Sequence, residues 1–296
     1  MRSATVTAFD RTRIGRTFFA VSLVGLGLEH LLFTAFVAGR APAWPTSVPG
    51  GPAWAYVSGF FIVVSGVALI VGKRARESAL LLAVLIASWA LLRHIPVLAG
   101  EPFLSGAWTR AGKALMLTGG ALAIAASVPL AGSSGRGPLV MLTNRRALTI
   151  AGRFGLGVFL AISGIQHFMF TSFVAMLIPS WFPGNATAWA YFAGVALVCG
   201  GVGMMFPFTA RLAALLSGLM VFSWFWIVHV PRTFVSVSDG IAVFEALAVS
   251  GIAFVLSGQV SAAGDVVDRR DRQAVRPVKA PKIKANSPGE RPGATG

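Results

Sequence analysis

Along most of the chain, polar side chains gather in short clusters and the residues between them are apolar almost without interruption. Reading each run between its polar or Pro/Gly-rich breaks gives stretches near 16–38, 53–72, 79–97, 107–130, 151–176, 188–206, 212–230 and 240–258. Each is close to the ~20 residues that a helix needs to cross a bilayer. Inside hydrocarbon, backbone groups are satisfied only within helices or closed barrels, and continuous apolar runs lack the alternation of barrel strands. The pattern predicts an all-α polytopic membrane protein with about eight transmembrane helices.

The runs are not independent. "GLEHLLFTAFVA" (27–38) returns as "GIQHFMFTSFVA" (164–175), with seven of twelve positions identical. At an offset of 137, Gly15, Arg16, Pro42 and Trp44 also match Gly152, Arg153, Pro179 and Trp181. A two-residue deletion then shifts the offset to 135, and "AWAY", Gly59, Gly66, Arg76, Trp89, His94 and Pro96 recur as "AWAY", Gly194, Gly201, Arg211, Trp224, His229 and Pro231. Such self-similarity marks a duplication. Four crossings is an even number, so both copies face the same way, and the expected architecture is two tandem, parallel four-helix bundles. The first spans 14–130 after an N-terminus at 1–13; a linker at 131–149 leads to the second at 150–258, and 259–296 is a polar, Pro-rich tail expected to stay disordered. The first run has the Arg-rich flank of a signal peptide, but its near-copy deep in the chain argues for a retained helix.

The net charge of +15 does not indicate nucleic acid once its placement is considered. With the N-terminus in the cytoplasm, twenty of the twenty-five Lys and Arg residues fall on the inner side. This positive-inside bias places both termini in the cytoplasm of a bacterial-type plasma membrane, with anionic lipid as partner of the basic tail. Cys199 stands alone, so it forms no internal disulfide, and it reads as a small buried apolar residue. Asn185-Ala-Thr is a formal glycosylation sequon discounted for want of any other secretory feature.

All four histidines belong to the repeat: His30 with His167 on the first helix of each copy, His94 with His229 on the third. At ~1.5 Å per residue, each pair sits in the outer third of the bilayer. Glu29, Arg93 and Lys113 join them in the first copy; Gln166 and Glu245, with Arg232 just above, join them in the second. Aligning Gly119 with Gly251 makes Lys113 the counterpart of Glu245. Glu29 with Lys113 in one copy and Gln166 with Glu245 in the other then vary jointly, as if first and fourth helices touched within each copy. Thr34 and Thr171, four residues after the histidines, are expected on the same helical face. Two readings stand: polar side chains pairing to hold helices in register, or an outward-facing pocket. Candidate ligand-binding residues are Glu29, His30, His94, Lys113, His167, Trp224, His229 and Glu245. A quinone headgroup suits them, since imidazole donates to a carbonyl, a carboxyl carries a proton, and Trp and Phe can sandwich a ring. The tryptophans equally suit an interfacial belt. Haem is disfavoured because second-shell support for axial histidines is not visible. No metal site and no Ser-His-Asp, paired-carboxylate or phosphate-loop constellation is present.

The first helix and loop, "G-[LI]-x-H…F-V-A…P-x-W", together with "AWAYFAGVALVCGGVGMMFPFTARLAALLSGLMVFSWFWIVHVPR" and "FEALAVSGIAFVL", resemble the DoxX-like membrane proteins. The resemblance implies a four-helix bundle per copy and little chemistry, since the family takes its name from a subunit associated with quinone-linked sulfur oxidation while most members lack an assigned activity. The function it implies is a membrane redox component or accessory subunit, acting with a redox partner protein and binding a quinone or small reductant. A non-enzymatic scaffold or assembly factor is the alternative, and a small-solute or lipid transporter ranks last, for lack of broken helices or midplane charges.

Overall fold

The computed structural model describes residues 2–36, 41–42, 44–129, 144–234 and 237–274, with side chains from 10 to 234 and from 240 to 259 within those ranges. All regular structure among them is helical. The first half contains α1 (Arg2–Phe33), α2 (Gly51–Val71), α3 (Ala75–Trp89), a π-helical turn (Ala90–His94), α4 (Ile95–Gly100) and α5 (Ser105–Ser127). The second contains α6 (Arg145–Met169), α7 (Thr171–Leu177), α8 (Ala186–Met205), α9 (Ala210–Trp224), a second π-helical turn (Phe225–His229), α10 (Val230–Arg232) and α11 (Val237–Ala274). One compact body extends to Ala262. The last helix runs past the expected boundary near 258 to Ala274; residues 130–143 and 275–296, which hold most of the linker and tail, lie outside the described residues.

Local sequence accounts for the helix ends. Asn144 caps α6 by accepting from the backbone N–H of Arg146 and Ala147, and Asn185, the sequon asparagine, caps α8 by accepting from Ala188. Such side chains satisfy amide groups that a helix start leaves over. Gly72, at φ 77°, closes α2 in the left-handed conformation that glycine tolerates. The first helix ends at Phe33, five residues before the expected 38, because Thr34 takes a φ of 53°. The matching break falls at Phe170, where the Thr171 hydroxyl donates to the carbonyls of His167 (2.9 Å) and Phe168 (3.0 Å) and so competes with the helical ladder. Thr34 therefore leaves the helical face expected for it, and its hydroxyl meets Tyr56 Oη at 3.2 Å.

Seven helices among the described residues are long and apolar enough to cross a membrane: Asp10–Phe33, Gly51–Val71, Ala75–Gly100, Arg145–Met169, Ala186–Met205, Ala210–Arg232 and Gly240–Gln259. The chain is thus a multi-pass α-helical membrane protein. The fourth expected crossing, α5, is 23 residues long but does not belong to the seven. Arg110 and Lys113 lower its hydropathy, and it tolerates them because it packs along both α3 and α6. In the apolar part of α11 72% of residues are buried, against 22% in α3 and α9, so α11 is central and α3 and α9 present broad faces outward.

Glycine seams decide which helices meet. A Cβ on Gly15 of α1 would lie 2.5 Å from the Gly251 carbonyl oxygen of α11, and one on Gly152 of α6 would lie 2.9 Å from the Gly119 carbonyl oxygen of α5. These two contacts are equivalents under the repeat. The first helix of each half thus leans on the fourth helix of the other half. This corrects the expectation that first and fourth helices meet within each copy at the level of Glu29 and Lys113. Within the first copy, α1 reaches α5 through Phe19 near Gly120. Close approach is what small residues permit in lipid, where helix association rests on van der Waals packing. Cys199 corrects another expectation: it is exposed on α8 rather than buried.

Candidate functional site

The two π-helical turns sit at positions related by the repeat, and proline explains both. Pro96 and Pro231 have no N–H to donate and crowd the carbonyl four residues earlier. The chain widens instead: the N–H of Ile95 reaches the carbonyl of Ala90, and that of Val230 reaches Phe225, five residues back in each case. Neighbours on an α-helix point about 100° apart, yet Arg93 and His94 are both buried, each 7% exposed. The extra residue in the turn lets both face inward. Such turns recur at functional sites.

Arg93 lies in an aromatic cage. Its guanidinium carbon stands 4.4 Å from the Phe36 ring centre, 5.1 Å from Trp44 and 6.0 Å from Trp89. Nη2 donates to the carbonyl of Pro42. Nε and Nη1 are buried with no acceptor among the described residues, and so is Arg110 Nε; His94 Nδ1 is buried with no hydrogen-bond partner of either kind. Each such donor costs about 1–3 kcal/mol, more when charged. The cage opens on a cleft of about 760 Å³ whose walls include Thr34, Phe36, Trp44, Thr46, Arg93 and Arg110, with no carboxylate among them.

None of the eight candidate residues forms the cleft wall itself. Two stand behind it. His30 packs edge-on against Phe36 at 5.6 Å, and His94 is within electrostatic reach of Arg93 and Arg110. His30 Nδ1 donates to the Leu26 carbonyl at 2.8 Å, and His167 Nδ1 to Ser163 at 2.7 Å. A carbonyl only accepts, so Nδ1 carries the hydrogen and Nε2 is left as the working atom in both rings.

A second group lies between the halves. Lys113 Nζ and Glu245 Oε2 form an ion pair at 2.8 Å, their side chains 21% and 15% exposed. Gln166 donates from Nε2 to the Ser105 carbonyl at 2.9 Å and accepts from the Thr109 hydroxyl at 2.8 Å. Partners thus cross from one half to the other, where pairing inside each copy was expected. Glu29 is buried on α1 beside His30.

The remaining candidates belong to the second half. Trp224 packs on Phe182 (5.7 Å) and Trp189 (6.1 Å), reproducing the aromatic wall of the first half, while Trp226 turns outward, 58% exposed. His229, half-buried, ends the second π turn. Val228 occupies the position of Arg93, and the counterparts of Phe36 and Trp44, Phe173 and Trp181, are exposed at 58% and 63%, so this half has neither the cation nor the closed cage. In the first half the Phe36 and Trp44 rings stack on each other at 5.5 Å. Among the described residues no group of three or more His, Cys, Asp or Glu could hold a metal ion.

Sequence reasoning grouped Arg93 with His30, His94, Glu29 and Lys113 but gave it no role, and it passed over Phe36, Trp44 and Arg110. The available signal was the break in the repeat at Arg93, one residue before a histidine that matches.

Residues 156–251, from within α6 to within α11, match the model of a family described as a domain of unknown function (DUF8561). No curated protein and no solved structure matches the chain.

Proposed function

We propose that this multi-pass membrane protein is a DoxX-like redox component or accessory subunit of a bacterial-type plasma membrane, binding the headgroup of a quinone or small reductant in the first-half cleft. The observation that carries the reading is the set of buried guanidinium donors on Arg93 and Arg110 with no acceptor, gathered at one aromatic-walled cleft. A quinone carbonyl or a reductant oxygen would supply the acceptor. The ring would lie along the cleft, since the guanidinium of Arg93 already covers the aromatic face. The positive-inside distribution supports cytoplasmic termini and an outward-facing cleft. Electrons would pass to a redox partner protein, and the basic tail would rest on anionic lipid.

A short-chain benzoquinone titrated into the detergent-purified protein tests this, because Trp44 and Trp89 report directly on the cleft. The expected result is saturable quenching that weakens at least about tenfold in Arg93→Met, the loss of one charged hydrogen bond. Absence of saturable quenching in the wild type by benzoquinones and small reductants alike would refute the reading. One observation favours a scaffold as second reading: the Lys113–Glu245 pair and the Gln166 contacts tie the two halves together. On that reading cleft variants change stability alone.

A further inference from the structure

Three other cations of the described body have evident uses. Lys113 is paired with Glu245. At the opposite end of the helices, Arg76 donates to the Ala125 carbonyl at 2.6 Å, and Arg153 donates to Met204 at 2.9 Å and Met205 at 3.1 Å, closing the C-termini of α5 and α8. Arg93 and Arg110 differ. Neither has an acidic partner among the described residues, both line the same cleft, and both keep buried donor atoms without an acceptor. Two guanidinium groups on one cleft, with no carboxylate among its described wall residues, give it a positive charge, and their buried donor atoms call for a counter-charge.

We infer that the cleft takes an oxyanion headgroup, a carboxylate, ionised enol or phosphate, held between Arg93 and Arg110. This rests on the reading that the cleft binds a ligand, and it narrows that reading: the ligand is negatively charged, and a neutral quinone is the poorer occupant. Arginine suits the task because its charge is permanent and its donors are fixed in a plane. Thr34 and Thr46 on the same wall add hydroxyls for the remaining oxygens. The second half serves as an internal control. Its counterparts to the two arginines are Val228 and, by the Gly119–Gly251 equivalence, Ala242. One chain therefore binds one anion.

The test uses the full chain in phosphatidylcholine nanodiscs and two probes of nearly the same shape, 2-hydroxy-1,4-naphthoquinone, ionised at neutral pH, and its neutral 2-methoxy analogue. The ionised probe is expected to bind about ten- to hundredfold more tightly, at one site per chain. Arg93→Met and Arg110→Gln each remove that preference, and Arg110→Lys, which keeps the charge, restores part of it. Should Arg93→Met fail to fold, the two Arg110 variants carry the comparison. Competition by inorganic phosphate supports the inference with a free ion as the occupant. Competition by phosphatidylglycerol placed in the nanodisc supports it with a lipid headgroup. Equal binding of the two probes overturns the anion while leaving a ligand site. Persistence of the preference in both the Arg93 and Arg110 variants overturns the assignment of residues. Failure of both probes, with no competition to measure, overturns the anion and the ligand site together.

Discussion

Replacing Lys113 by Met leaves the carboxylate of Glu245 in the interface between the halves without the ammonium group 2.8 Å away. Both side chains are mostly enclosed, at 21% and 15% exposure, so solvent screening is weak. Removing one member of a buried pair costs about 3–5 kcal/mol. The residual exposure moves the expectation to the lower end, about 2–3 kcal/mol. The double variant Lys113→Met with Glu245→Met removes both charges and both desolvation costs, so it should return to within about 1 kcal/mol of the wild type. The charge swap Lys113→Glu with Glu245→Lys should recover most of the stability as well. The assay is reversible unfolding in mixed micelles, read by tryptophan fluorescence and analysed as a double-mutant cycle. Single variants that lose less than about 0.5 kcal/mol, or a double variant that loses the sum of the singles, would show that the pair does not join the halves.

Gly251→Val should lower the melting temperature in detergent, with a cost of about 1–3 kcal/mol from overpacking, because its Cβ would sit 2.7 Å from the Gly15 carbonyl oxygen. Gly100→Ala, where a Cβ meets nothing within 4 Å, is its control and should leave the melt unchanged or slightly raised. Arg153→Ala should cost about 1.5–3 kcal/mol in the same melt, since it removes charged hydrogen bonds to two carbonyls at the end of α8. Pro96→Ala restores an amide donor and with it the option of a regular helix. That variant should keep its stability while losing ligand quenching, because Arg93 and His94 no longer face inward together; unchanged quenching would separate the π turn from the site.

The helical class and most crossings were legible in the sequence because hydropathy and duplication are properties of the chain read in order. Helix partners were not. Gly15 and Gly251 lie at opposite ends of the sequence, and nothing local says that α1 rests on α11. The pairing of Lys113 was misassigned for the same reason: its counterpart in the alignment, Glu245, turned out to be its partner. The run at 107–130 was read as a crossing, yet α5 stands outside the seven span-capable helices, and its polarity is accommodated by packing against α3 and α6. Regular helical spacing would have separated Arg93 from His94, so the inward turn of both became visible only with the proline-induced widening. Cys199 was expected inside because apolar runs give no sign of which face meets lipid.

The ion pair between the fourth helices has a consequence for how such a protein could arise. Were two separate, identical four-helix chains to assemble by the same contacts, symmetry would set each residue near the axis against its own copy, lysine against lysine or glutamate against glutamate. Joining the copies into one polypeptide frees them to diverge, so that opposite charges can meet across the axis and one copy can keep an arginine where the other keeps a valine. Fusion here is a licence for asymmetry.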